Sequence, residues 1–366
     1  MLHDSLVIDA HGHMSTPALF RAFAYNLIAL RAAEGPLSIT DEQMAAPLER
    51  HLRLLDQCRI DLQMISPRPV AMMHFEMPHL VDVWTRETND LIARQCTLHP
   101  TRFVGIAQLN QSAFGTPADC VPELERCIGQ LGFVGALVNP DPAGHHQSPG
   151  MNDKSWFPLY RKAEELQATL VVHPSISRDP RLAVVPFSFQ YSFLIEETLA
   201  TLLLENSDVF DTFPNLRIMI CHCGGALNRL HQLGRPADAV AQAHGHDTRI
   251  TSTGERRGGS ANAASGGLQY DTRELSGNLF FDTCAYDTHF LAAALKQRGV
   301  ARMVFGTEVP GSGSSTFNPM TNAPSEDILA ILESYEFLTD DDRRAIVYDN
   351  PLRAFPLVRA KLPKSP

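Results

Sequence analysis

The segment Val7-Ile8-Asp9-Ala10-His11-Gly12-His13 carries an apolar run directly into a His-x-His pair. Residues i and i+2 of a strand share one face, so two imidazoles at that spacing can converge on one ion, with Gly12 leaving room. Three later apolar runs end in polar groups in the same manner: Leu170-Val171-Val172-His173, Ile218-Met219-Ile220-Cys221-His222 and Val304-Phe305-Gly306-Thr307-Glu308. Imidazole nitrogen and carboxylate oxygen are ordinary zinc ligands, and a catalytic zinc keeps one position for water or substrate. His11, His13, His173 and Glu308 are therefore the expected metal ligands, with one Zn2+ per chain and another divalent ion such as Mn2+ as the alternative. Glu308 and His222 are the candidate catalytic groups. The first is a ligand or a base beside the metal, and the second is an imidazole that titrates near neutrality. Alternation turns Cys221 and Cys223 away from the face of His222, so both are read as structural cysteines.

Eight short apolar runs supply the strands needed to hold these groups: Leu6-Asp9, Leu62-Ser66, Phe103-Ala107, Gly135-Val138, Thr169-His173, Arg217-Cys221, Leu279-Asp282 and Met303-Gly306. Helical spacing follows between them, as in Val81-Leu98, Ala118-Leu131, Ser155-Leu166, Ile195-Glu205 and Thr288-Arg298, with Pro and Gly at the joints. The alternation predicts one domain over 1–366, an α/β fold in the form of a distorted (β/α)8 TIM barrel. Its catalytic residues belong at the C-terminal ends of the strands. Two segments exceed the repeat: a helical excursion over about 17–47 after strand 1, and a Gly-, Ala-, Ser- and Thr-rich insertion over about 236–277 between strands 6 and 7. The second reads as a surface loop.

Arg68, set just past the second strand by Ser66-Pro67, is the candidate for holding a substrate carboxylate, because a guanidinium offers two parallel hydrogen bonds. Asn139 after the fourth strand is a second substrate-binding candidate, and Tyr191 a third, although no strand end aims it. His244-Gly245-His246 repeats the His-x-His spelling without a strand before it, His145-His146 lies in a Gly/Pro-bounded turn, and Gly311-Ser312-Gly313-Ser314 lacks the Lys of a phosphate loop. None of these is assigned a catalytic role.

The formal net charge of -10 excludes a broad nucleic-acid footprint but not a small anionic carboxylate substrate met by a few local arginines. The seven cysteines are scattered without paired CxxC spacing, and no window approaches a membrane span, so a reduced, cytoplasmic, soluble protein is expected.

Taken together, these segments resemble the amidohydrolase superfamily, in its branch related to aminocarboxymuconate semialdehyde decarboxylase. Ile65-Ser66-Pro67-Arg68-Pro69, Asn139-Pro140-Asp141-Pro142, Glu196-Glu197-Thr198, His222-Cys223-Gly224-Gly225 and Phe281-Asp282-Thr283 all look like segments of that branch. Within it the chain is most similar to the oxalomesaconate hydratases and the zinc-dependent C–C hydrolases of meta-cleavage products. Glu308 stands where the decarboxylases usually have Asp, and Gln95-Cys96-Thr97-Leu98 leans toward the C–C hydrolases. The resemblance implies metal-activated water acting on a carboxylated dienoate, with nonoxidative decarboxylation as the rival activity. It also implies a homo-oligomer. The run of glycines common after strand 6 is here His222-Cys223-Gly224-Gly225, which leaves the substrate open.

Overall fold

The computed structural model describes residues 5–362 apart from positions 34, 187, 206, 228–276 and 319–321. Eight strands form one sheet in sequential order: β1 Ile8–His13, β2 Leu62–Ser66, β3 Phe103–Ala107, β4 Gly135–Val138, β5 Thr169–Val172, β6 Ile218–Ile220, β7 Leu279–Asp282 and β8 Met303–Val304. Every neighbouring pair is parallel. The first and last strands approach closure, as the Ala10 N–H donates to the Phe305 carbonyl at 2.8 Å and the Glu308 N–H donates to His11 at 2.6 Å. The predicted barrel is thus observed. Strand β8 is shorter than expected, because Phe305 turns its N–H to Ile346 and Gly306 turns its own to the Thr283 hydroxyl.

Side chains alternate between two apolar layers. Ile8, Met64, Ile106, Leu137, Val171, Met219, Phe280 and Val304 fill the barrel interior, whose floor is closed by Leu352, Phe355 and Val358 near the C-terminus. Val7, Ile65, Phe103, Val138, Val172, Ile220 and Phe281 face the surrounding helices instead. Such doubly buried strands read as continuous apolar runs, which is why they were visible in the sequence.

The excursion after β1 consists of α1 (Ala18–Leu30) and α2 (Asp41–Gln57), the latter opened by a Thr40/Gln43 capping box. Helices α3 (Pro78–Leu98), α4 (Val121–Gly129), α5 (Phe157–Glu165) and α6 (Ser188–Glu205) follow β2 to β5, and α7 (Val209–Thr212) precedes β6. Helix α8 (Thr288–Arg298) lies between β7 and β8. Helix α6 starts earlier than its apolar spacing suggested, and Tyr191, Ile195, Leu199 and Leu202 form an exposed apolar stripe along it. Among the described residues no helix is long and apolar enough to cross a membrane. Of the predicted 236–277 insertion all but Gly277 lies outside the described residues, as do His244 and His246.

Candidate active site

The first strand carries a bulge. Asp9 pairs with Gln63 and Gly12 with Ile65, so Ala10 and His11 together oppose Met64. Before it, even-numbered Ile8 and Ala10 face the interior and Val7 faces the helices. The extra residue reverses that parity, and His11 and His13 emerge on the inner side. Asp9 pins the bulge by accepting the His11 N–H at 3.0 Å, the Thr307 hydroxyl at 2.6 Å and the Gln63 amide at 2.7 Å. Gln63 also bonds His51 at 2.7 Å. A Cβ at Gly12 would lie 2.1 Å from the Gln63 carboxamide, so the room left by that glycine is taken by Gln63.

Four imidazoles meet above the barrel core, with ring centroids of His11, His13, His173 and His222 between 5.0 and 5.6 Å apart for the contacting pairs. Each uses Nδ1 to bond the protein: His11 with Asp282 at 2.6 Å, His13 with Ser66 at 3.0 Å, His173 with the Pro174 carbonyl at 2.9 Å, and His222 with Glu197 at 2.7 Å. The Nε2 atoms of His11 and His173 are buried and have no partner. Buried polar atoms are normally satisfied, and imidazoles anchored through Nδ1 with Nε2 left free are what a metal centre requires. The donor atoms of His11, His13 and His173 lie within 4.8 Å of one another, as do those of His173, His222 and Glu308. Three nitrogens and a carboxylate oxygen fit a divalent ion with a remaining open position.

Glu308 sits in a left-handed backbone conformation, φ 72°, one residue past Thr307, which Asp9 holds. Its Oε1 is 3.9 Å from both His13 Nε2 and His222 Nε2. Burial opposes its ionisation, but His13 and His222 outweigh that and hold the carboxyl well below its ordinary range. Burial brings His13 down to about 4, and burial with the neighbouring imidazoles takes His173 well below its usual value. Both are neutral at pH 7, the state that binding a metal would require of them. Burial pushes Glu197 up to about 7 against the pull of His222, while the Glu197 carboxylate lifts His222 well above the ordinary imidazole value despite its burial. The pair holds a shared proton near neutrality.

His222 gains its place through a turn with left-handed φ values of 48° and 59° at His222 and Cys223. Strand alternation fails at His222 itself, which shares its parity with the outward-facing Ile218 and Ile220, whereas Cys221 keeps the inward parity of Met219. Cys221, expected to turn away, points into the barrel and lies with His11 and Asp282 inside one 4.8 Å group. Arg68 donates to the Pro310 carbonyl at 2.8 Å and keeps a buried, unpartnered Nε, close enough to Glu308 to feel its charge. Asn139 is buried, but its Oδ1 accepts the Asp141 N–H at 3.0 Å and so serves the local turn. Tyr191 is 51% exposed on the outer side of α6. Its neighbours Gln190, Phe193 and Leu194 instead line a cavity of about 370 Å3 beside His222 and Glu308, with Cys284, Tyr286, Phe290 and Ser312. A larger cavity of about 430 Å3 around Arg59 and Arg102 lies at the opposite strand ends, away from the histidines.

Sequence reasoning missed Glu197, Cys284 and Tyr286 as site residues. Glu197 was visible only as part of a Glu-Glu-Thr segment inside a helix, and Cys284 and Tyr286 follow β7 in a stretch with no motif of its own. Their shared signal is position, just beyond a strand's C-terminal end or on the helix facing it. The His145-His146 turn sends His146 to a separate group with Glu196 and Asp141.

The amidohydrolase family model matches residues 8–357. Over 375 aligned residues the chain is 30% identical to the 2-keto-4-carboxy-3-hexenedioate hydratase of Sphingobium sp. strain SYK-6, covering 98% of each. It is 24% identical over 262 residues to the 2-amino-3-carboxymuconate-6-semialdehyde decarboxylase of Dictyostelium discoideum, covering 70% of this chain and 64% of that one. Among solved structures, the 4-oxalomesaconate hydratase of Rhodopseudomonas palustris superposes with a TM-score of 0.76 at 26% identity over 97% of both chains. With an imidazole cluster at the mouth of an eight-stranded barrel and relatives along its whole length, this chain belongs to the amidohydrolase family as a metal-dependent lyase or hydrolase.

Proposed function

We propose that the enzyme hydrates a carboxylated dienoate of the kind produced when an aromatic ring is cleaved, with one zinc ion held by His11, His13, His173 and Glu308. The observation that carries this reading is the meeting of His11, His13 and His173 beside the Glu308 carboxylate, with Nε2 of His11 and His173 buried and unpartnered and Glu308 Oε1 3.9 Å from His13 Nε2. Similarity to two hydratases over nearly the full chain supports the choice of reaction. When bound, the divalent ion supplies the Lewis acidity that lets water lose a proton near neutral pH.

The remaining steps belong to the protein's own groups. Arg68 holds a substrate carboxylate through its unpartnered Nε, beside the histidines. Glu308, ionised at neutral pH, accepts the proton of the attacking water at Oε1. The water oxygen bonds to one alkene carbon, and the π electrons move to the other. His222, kept protonated by Glu197, delivers a proton from Nε2 to that second carbon. Phe193, Leu194 and Phe290 wall the cavity and limit bulk water at the reacting bond.

The test is to incubate the zinc-loaded enzyme with 2-keto-4-carboxy-3-hexenedioate in 18O-labelled water. One labelled oxygen in a product of substrate mass plus water, with loss of the conjugated absorbance, is expected. Released carbon dioxide would establish decarboxylation instead, and a smaller carboxylic acid fragment would establish C–C hydrolysis. Glu308→Ala with unchanged activity would remove the mechanism altogether.

A further inference from the structure

Glu308 is held asymmetrically. Its Oε1 faces His13 and His222, while its Oε2 accepts the Tyr286 hydroxyl at 2.6 Å and the Ser312 hydroxyl at 3.3 Å. Ser312 is in turn reached by the Gln190 amide at 3.3 Å, which ties this oxygen to helix α6. Tyr286 is placed by the turn after β7, where Asp282 accepts the Cys284 N–H at 3.0 Å and Ala285 donates to the Thr283 carbonyl at 2.7 Å. The same Asp282 orients His11. On its far side the phenol ring packs against Gly313, where any Cβ would come within 2.9 Å of Cζ.

We propose that Tyr286 is a positioning residue that occupies Oε2 of Glu308, so that only Oε1 is presented to the imidazole cluster. A carboxylate free to turn both oxygens toward an ion takes up two positions, and the second is the one that water or substrate needs. With Oε2 tied to a neutral hydroxyl the coordination stays open. The role is absent from the sequence pattern because Tyr286 and Glu308 lie 22 residues apart beyond the ends of neighbouring strands and meet only when β7 and β8 pair.

The inference rests on Glu308 being a metal ligand, and the experiment separates the two ideas. Tyr286→Phe removes the hydroxyl and retains the ring, and Ser312→Ala removes the weaker contact. Wild type and both variants are loaded with Co2+, whose visible absorption weakens as coordination number rises, and kcat and KM are measured on the same samples. In Tyr286→Phe the cobalt bands weaken, kcat falls about tenfold or more, and KM stays within about twofold. Ser312→Ala changes the same quantities in the same direction by less. An unchanged cobalt spectrum in Tyr286→Phe, or a loss confined to KM, overturns the positioning role. Wild type that takes up no cobalt overturns the metal reading and this inference with it. A spectral change in an enzyme that fails to hydrate the dienoate leaves the positioning role standing and removes only the proposed substrate.

Discussion

Replacing Asp282 by Asn tests the metal centre through hydrogen-bond arithmetic. Oδ1 of Asp282 accepts the N–H groups of Cys223 and Cys284, both at 3.0 Å, and Oδ2 faces His11 Nδ1 at 2.6 Å. An Asn must put its carbonyl oxygen on the two backbone donors, which sends its NH2 toward Nδ1. Two N–H groups cannot share that line, so His11 must switch tautomer and carry its proton on Nε2, the atom that faces the cluster. Metal binding then has to displace either that proton or two backbone hydrogen bonds. Loss of a partner that orients a ligand ordinarily lowers affinity about 10–100-fold, and the enforced wrong tautomer puts Asp282→Asn at the upper end, about 2.8 kcal/mol. Competition with a chelating dye at neutral pH measures the constant, and circular dichroism checks the fold. A well-folded variant whose affinity stays within about threefold of wild type would refute the reasoning.

Glu197→Gln removes the charge that lifts His222, so the His222 pKa falls, and the basic limb of the kcat profile moves about one unit or more to lower pH. A limb that stays in place excludes His222 as the proton donor. Arg68→Lys exchanges a fork for a point charge, and KM for a carboxylated substrate should rise about 10–100-fold with little change in kcat; steady-state kinetics decides it. Gly12→Ala drives a methyl into the Gln63 carboxamide, breaking its bonds to Asp9 and His51, and should destabilise the metal-free protein by about 2–4 kcal/mol in urea unfolding. Stability equal to wild type would show that the Asp9–Gln63 network does not brace the first strand.

Barrel order and the ends of most strands were readable because each strand is buried on both faces and appears as a short apolar run closed by Gly, Pro or a polar residue. The same property exposed His11, His13, His173, His222 and Glu308, since a polar group directly after such a run has the strand's C-terminal end as its only address. Local pattern could not decide which way those groups point. A strand period of two would have left His11 and His13 on the side of Val7, and the bulge opposite Met64 turned them inward. A left-handed turn likewise brought in His222, which alternation places with the outward-facing Ile218 and Ile220, while Cys221 keeps the inward parity of Met219. Tyr191, which no strand end aims, lies on the exposed side of α6, and the cavity is lined instead by its neighbours Gln190, Phe193 and Leu194. Asp282, Glu197 and Tyr286 touch their partners across 271, 25 and 22 residues of chain. Contacts of that range are set by how neighbouring strands and helices assemble and, for Asp282 with His11, by the near closure of the sheet, which residue types and spacing do not encode, so the sequence by itself named the candidate ligands and the tertiary structure decided what holds them.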